Sequence, residues 1–375
     1  MTDPHVDPGI RWTFLTPSLL RPTGGDIALF ELANATARSG RDTVQIVHVP
    51  FAGARVRSLG DLPWFAFDSA VEHQFASSLD AVDVPGGHVV LYTMKLLAAA
   101  LAPGDEAAGL RLISALQHVP TPSWLPMLFV QGAGVFVPEV EQMGLRLPGP
   151  KVCVGTALVD LLVSRGVPAA DVVHIPNGVD PDRFHVTQRV ERRSQRVAMN
   201  FDPHPVKGGL EGVEAIDAVV RRLGVPATVF GTSSPERVLA TDVTFVASPT
   251  QTTLARDIYN RSTTFLQPSR REGFGMCAVE AMACGCALVT TMNGGSSDYA
   301  HHDETAIVCG PSPGEMAEAL VRVMSDDRLR LRIARNGTQF VERFRWTASA
   351  AQLHRLASER LGGPTNSPAR SAEDG

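Results

Sequence analysis

Short apolar runs alternate with amphipathic stretches along the chain. Residues 11–16 (RWTFLT) read as a strand. In 26–39 the residues Ile27, Phe30, Leu32, Ala33 and Ala37 fall on one face at helical spacing, and Gly40 supplies a stop. Residues 43–49 return as a strand, and 88–92, 112–116 and 151–154 are further strands. Strands separated by helices predict βαβ units around a parallel sheet. After a strand at 171–175 and a Pro-Asn-Gly-Val-Asp turn at 176–180, an Arg-rich polar stretch at 185–196 reads as a linker into a second domain. Beyond it the pattern predicts strands at 196–200, 227–230, 243–246, 264–266 and 287–290, with helices at 209–223, 252–260, 276–283 and 313–324. The prediction is two doubly wound α/β domains, 1–180 and 181–345. A helix at 346–361 and a Gly-, Pro- and Ser-rich tail at 362–375, expected to be disordered, complete it.

Composition narrows the class. The chain has 375 residues, 44% hydrophobic and 19% charged, with a formal net charge of -5. That length suits two cores, and no strongly basic stretch suggests a nucleic-acid partner. No apolar run approaches the roughly 20 residues of a membrane span. The first eleven residues lack the order of a signal peptide. The expectation is a cytoplasmic protein, compatible with peripheral membrane contact; the oligomeric state is left open. The five cysteines, with Cys284 and Cys286 one residue apart, do not have zinc-finger spacing and read as reduced core thiols. Asp180-Pro-Asp182 and His301-His302-Asp303 have the look of metal ligands, but both lie in polar turns; no metal or other cofactor is expected.

The chemistry concentrates in 264–285. A buried strand ends near Leu266, a Pro-Ser turn follows, and Gly273 and Gly275 let the backbone approach a ligand. A helix then begins near Met276. Its first N–H groups lack intrahelical partners and its dipole is positive there, which suits a diphosphate. Glu272 precedes this helix and Glu280 lies one turn inside it. Carboxylates accept only, so one can take sugar hydroxyls and the other a ribose.

The segment EGFGMCAVE resembles the E-x7-E motif of the retaining family-4 glycosyltransferases of GT-B fold, in which two Rossmann-like domains enclose a cleft. The resemblance extends to the 176–180 turn, to Val154-Gly-Thr156 with the helix at 158–165, and to Phe344-Arg-Trp346. It implies a closing helix that crosses back to the first domain and a donor held mainly by the second. It implies that Glu272 meets the donor-sugar hydroxyls, that Phe274 and Gly275 lend backbone contacts, that Met276 and Cys277 offer N–H groups to the diphosphate, and that Glu280 holds the ribose. The implied activity is transfer of a hexose or deoxyhexose from a nucleoside-diphosphate sugar to a glycan, glycolipid or natural-product hydroxyl, with retention.

Other pieces complete the expected site. Gly24 and Gly25 read as a loop able to approach a phosphate, and the family has a glycine-rich loop there. Lys207 is the best cation for the diphosphate. The family's Arg five residues earlier is replaced by Asp202, with Arg270, Arg271 or His204 as substitutes. That departure motivates the alternative of a catalytically weak or inactive homologue that binds nucleotide sugars or a partner. His118 follows the expected strand at 112–116, where ligands gather in α/β folds, and the family often has a His near the reacting carbon. Trp64, Phe65, Phe67 and Trp124 are stacking candidates for the acceptor. A dinucleotide dehydrogenase is disfavoured, since no GxGxxG follows the first strand.

Overall fold

A computed structural model describes residues 9–51, 53–82, 88–102, 106–118, 121, 124–236 and 239–362. Seven parallel strands form the first sheet: β1 (Arg11–Pro17), β2 (Thr43–Val49), β3 (Val71–Phe75), β4 (His88–Thr93), β5 (Trp124–Val130), β6 (Lys151–Cys153) and β7 (Val172–His174). Their order is β3-β2-β1-β4-β5-β6-β7. The connecting helices are α1 (Gly24–Arg38), α2 (Met94–Ala100), α3 (Glu106–Leu116), α4 (Pro138–Arg146) and α5 (Thr156–Ser164). Trp12, Phe14 and Leu15 on β1 are all buried, as expected of a central strand covered on both faces.

The second sheet holds β8 (Val197–Asn200), β9 (Ala227–Gly231), β10 (Val243–Ala247), β11 (Thr264–Gln267), β12 (Ala287–Thr291) and β13 (Ala306–Cys309), ordered β10-β9-β8-β11-β12-β13 and again parallel. Its helices are α6 (Gly209–Leu223), α7 (Gln251–Thr253), α8 (Met276–Ala283), α9 (Pro313–Ser325), α10 (Asp327–Val341) and α11 (Trp346–Gly362). Helix α9 starts at a reciprocal Ser312–Glu315 capping box. Both sheets reverse direction of growth once, between β1 and β4 and between β8 and β11. Such switch points open a crevice at the strands' carboxyl ends.

Several expectations change. Residues 112–116 form the end of helix α3, not a strand; a short apolar run is equally at home in a buried helix. The helix expected over 252–260 is a single α-turn, a π-helical stretch Leu254–Ile258 and a 3-10 turn. Strands β3, β5 and β13 and helices α2, α4 and α10 are additional. Of the expected tail, Gly362 ends α11 and 363–375 lie outside the described residues.

The chain crosses between the halves twice, side by side. Val179 bridges Arg345 in parallel fashion, and its N–H donates to Phe344 O at 2.9 Å. Helix α11 then packs on α1 of the first half. His354 Nδ1 lies 2.8 Å from Asp42 Oδ2, which also accepts from Trp12 Nε1 at 2.9 Å. Among the described residues no helix is long and apolar enough to cross a membrane, and no cluster of three metal-ligating side chains occurs.

Candidate active site

The two switch points face each other. A cavity of about 250 Å³ is lined by Pro22, Thr23, Gly24, Ile27 and Trp64 from the first half. From the second half come Asn200, Phe201 and Asp202 after β8, Gly231 and Thr232 after β9, Gln251 and Leu254, and Met276, Cys277 and Glu280 of α8. A larger surface cavity, about 910 Å³, runs beside α4 and includes neither α8 nor the ends of β1 and β8.

Glu272 is the most heavily bonded side chain of the cleft. Oε1 accepts from Ser269 Oγ at 2.7 Å and Gln267 Nε2 at 2.9 Å, and Oε2 from Lys207 Nζ at 2.8 Å. Its backbone is fixed by Glu272 N to Asn293 O at 2.8 Å and Gly295 N to Glu272 O at 3.1 Å. The carboxylate is therefore held in place before any ligand binds. Lys207 is poised by the 3-10 turn Pro205–Lys207, whose Gly208 takes φ 60; a Cβ there would lie 2.3 Å from Pro268 O. Burial disfavours the Lys207 ammonium, yet Glu272 beside it holds its pKa above the ordinary value.

Gly273 and Gly275 are required by geometry. A Cβ on Gly273 would meet Gln131 O at 2.0 Å, so the first half approaches the motif backbone to backbone. Gly275 has φ 90, and a Cβ would meet Tyr299 Oη at 2.5 Å. Phe274 is buried against Tyr299 and Phe344, and its carbonyl accepts from Tyr299 Oη at 2.8 Å. Its side chain is core and its carbonyl is engaged. Helix α8 has no side-chain cap, and the N–H groups of Met276 and Cys277 have no acceptor among the described residues. Both residues line the cavity, where such unpaired N–H groups can take an acceptor. Glu280 is buried on the cavity wall and accepts from Tyr259 Oη at 3.2 Å. Burial pushes its pKa up to about 8 against that donation.

The first-half residues differ from expectation. Gly24 and Gly25 open helix α1 rather than forming a loop. Thr23 is the better N-cap, its Oγ1 accepting from Asp26 N at 3.1 Å, and glycine costs least where N–H groups are unpaired anyway. Gly24 still lines the cavity's first-half wall. His118 is not in the cleft. It follows α3 and precedes β5, is exposed, and has Nδ1 3.0 Å from Ala115 O. It thus stands at the start of β5, roughly 20 Å of strand from the carboxyl end where the site lies. At that end stands Gln131, which donates to Gly25 O at 2.7 Å and abuts Gly273. The apolar run 124–130 before it was the available sequence signal, obscured by Pro126. Lys95 and Asp26, an ion pair behind the start of α1, belong to the same edge. Only the fold brings these side chains together.

Asp202 caps its own turn, accepting from His204 N at 2.8 Å, and His204 Nδ1 accepts from Val206 N at 3.2 Å. Arg270 pairs with Glu211 at 2.8 Å on the surface. Arg271 reaches across the cleft, and a Cβ on Gly134 would fall 2.1 Å from its Nη1. Lys207, whose charge acts on Cys277, is thus the proposed cation tied to the start of α8. Of the stacking candidates, Trp64 lines the cleft cavity, Phe65 and Phe67 pack on Phe30, and Trp124 opens β5. Asp180 pairs with Arg183, and His302 with Asp303.

Residues 236–340 match the family model for glycosyl transferases group 1. Over 103 residues the chain is 34% identical to D-inositol 3-phosphate glycosyltransferase of Corynebacterium jeikeium, covering 27% of this chain and 25% of that one. Over 233 residues it is 27% identical to the phosphatidyl-myo-inositol mannosyltransferase of Mycobacterium tuberculosis, covering 57% and 61%. The chain thus spans about a quarter of the first relative's length. Sucrose-phosphate synthase from Thermosynechococcus elongatus superposes with TM-score 0.72 at 17% identity, covering 95% of this chain and all of that one. Anabaena HepE, solved with UDP-glucose, gives 0.65 at 16%, covering 93% and all. The fold is GT-B, and the stretch 236–340 that carries Glu272, α8 and Glu280 is similar to the glycosyl transferases group 1 family.

Proposed function

We propose that the chain transfers a sugar from a nucleoside-diphosphate sugar to an acceptor hydroxyl with retention of configuration. The observation that carries this is the hydrogen-bonded Lys207–Glu272 pair standing beside α8, whose open N-terminus lines the interdomain cavity. The diphosphate would lie on the N–H groups of Met276 and Cys277, facing the start of α1. Lys207 would share its charge between Glu272 and the departing phosphate, and Glu280 would take the ribose hydroxyls. No carboxylate is offered as a covalent nucleophile. Attack and departure on one face of the sugar, with orientation and leaving-group stabilisation as the protein's contribution, fit this set. The reading assigns the charge work to Lys207 and backbone dipoles and needs no metal.

The donor's base and sugar are the first unknowns. HepE was solved with UDP-glucose, so uridine diphosphate is the first ligand to try. The relatives' names point to inositol-based acceptors and, in one case, to mannose, a hexose. The test is a thermal-shift panel of UDP, GDP and ADP and their sugars, followed by transfer assays on inositol phosphates and glycolipids. A rise in melting temperature with one diphosphate, and transfer from its sugar, is expected. Binding without transfer or donor hydrolysis would support an inactive homologue instead.

A further inference from the structure

Arg183 stands where the chain passes between the halves, and its guanidinium is held from three sides. Nη1 donates to Glu31 Oε1 at 2.8 Å and also to Gln251 Oε1. Nη2 lies 3.3 Å from Asp180 Oδ2. Glu31 belongs to α1, the helix whose first residues line the donor cavity, and its side chain is 5% exposed. Gln251 lines the same cavity from the other half. One cation thus ties the first half, the crossing and the second half together beside the space that both halves share. A planar guanidinium with five donors suits three acceptors, whereas an ammonium would not span them.

The arrangement has an electrostatic side. Burial acts most on Glu280; Tyr259, which donates to it, and Arg183 favour its anion, Glu31 opposes it, and Glu280 in turn raises the pKa of the Cys277 and Cys284 thiols beside it. Drawing the halves apart would leave Glu31 without its cation, and a buried carboxylate stripped of its partner is unfavourable. Arg183 thereby favours the closed arrangement and the ionised form of the ribose-side carboxylate together.

We propose that Arg183 is a positioning residue that couples occupancy of the donor cavity to closure of the two halves. It does so by holding α1 and Gln251 against the same nucleotide. This rests on the donor-site reading above.

The test uses the full chain with UDP as probe, or GDP or ADP if one of those is the diphosphate that binds. Calorimetric affinity from pH 6 to 9 and the radius of gyration from solution scattering, with and without nucleotide, are the readouts. Wild type is expected to compact on binding. Arg183→Met is expected to bind about tenfold more weakly, to lose the compaction, and to shift the pH profile of binding towards alkali. Arg183→Lys should recover part of each. Glu31→Gln should lose compaction while moving the pH profile towards acid, opposite to Arg183→Met. That contrast separates the proposal from general structural damage, and it stands as the test should Arg183→Met fail to fold. Wild-type compaction and an unshifted pH profile in either folded variant overturn the proposal. No response of wild type to any of the three diphosphates sinks the donor-site reading, and this inference with it.

Discussion

Lys207 Nζ and Glu272 Oε2 lie 2.8 Å apart, joining the loop after β8 to the loop after β11 within one half of the protein. The pair, together with Ser269 and Gln267, fixes the carboxylate's position before any ligand arrives. A diphosphate entering at α8 would draw on the same ammonium. Lys207→Ala is therefore expected to lower the rate of transfer by about 10²- to 10³-fold, the usual effect of removing one preorganised charge. Glu272 would keep Ser269 and Gln267, so circular dichroism and melting should show an intact fold. Steady-state kinetics on the best donor decide it; turnover near that of wild type would remove Lys207 from the site.

The glycines of the cleft separate into two kinds. Gly273→Ala places a methyl 2.0 Å from Gln131 O, whereas Gly24→Ala meets nothing within 4 Å. The first is expected to destabilise by about 1–3 kcal/mol, as overpacking does, and to weaken nucleotide binding by prising the halves apart. The second should stay within about 0.5 kcal/mol of wild type, as surface changes usually do. Urea unfolding of the two variants side by side checks this, and equal effects would contradict the close approach at Gly273.

Glu280 makes the protein sensitive to pH. Burial holds its folded pKa at about 8, above the ordinary 4.5. Between those values the folded state keeps a proton that the unfolded chain has lost, so stability falls as pH rises through that window and levels off above it. Glu280→Gln should lose this share of the pH dependence in urea titrations at pH 5.5 and 8.5, values chosen as roughly inside and beyond the window. Ribose hydroxyls donate to the anion, so nucleotide affinity should climb across the same window, with proton release. Calorimetry in buffers of different ionisation enthalpy reads that release directly; affinity independent of pH would sink the assignment of Glu280 to the ribose.

Asp42 anchors the closing helix. Its carboxylate accepts from Ile10 N and Trp12 Nε1, each at 2.9 Å, and meets His354 Nδ1 of α11 at 2.8 Å, all in buried surroundings. Asp42→Ala strands these groups, and a loss of about 3–5 kcal/mol is expected, typical of breaking a buried charged contact. Chemical denaturation measures it. Near-wild-type stability would show that α11 is held by its apolar face alone.

Legibility from sequence followed locality. The segment from Glu272 to Glu280 was readable because strand, turn, glycines and helix start are contiguous, so their geometry follows from short-range rules. Helix α8 runs over Met276–Ala283, as its pattern predicts. The opposite wall was not readable in the same way. Gln131 reaches the site only because β5 lies beside β4, and Lys95 only because α2 abuts the start of α1. His118 went astray through one ambiguous apolar run: taken as a strand, residues 112–116 carry it to the carboxyl edge, and as the end of α3 they carry it to the other. Asp202 was legible as a departure, but its capping of His204 needed coordinates.

The parallel bridge between Val179 and Arg345 means that the halves hang on two adjacent ribbons rather than one. A single tether would permit swivelling in any direction. Two pins side by side leave one easy axis, bending, and resist twist. Were the halves to part about this spine, Gln131 and the start of α1 would lift away from Gly273 and α8 rather than slide past them. A closure about that spine would return the same atoms to the same partners, with the register of the two walls set by the covalent crossing itself.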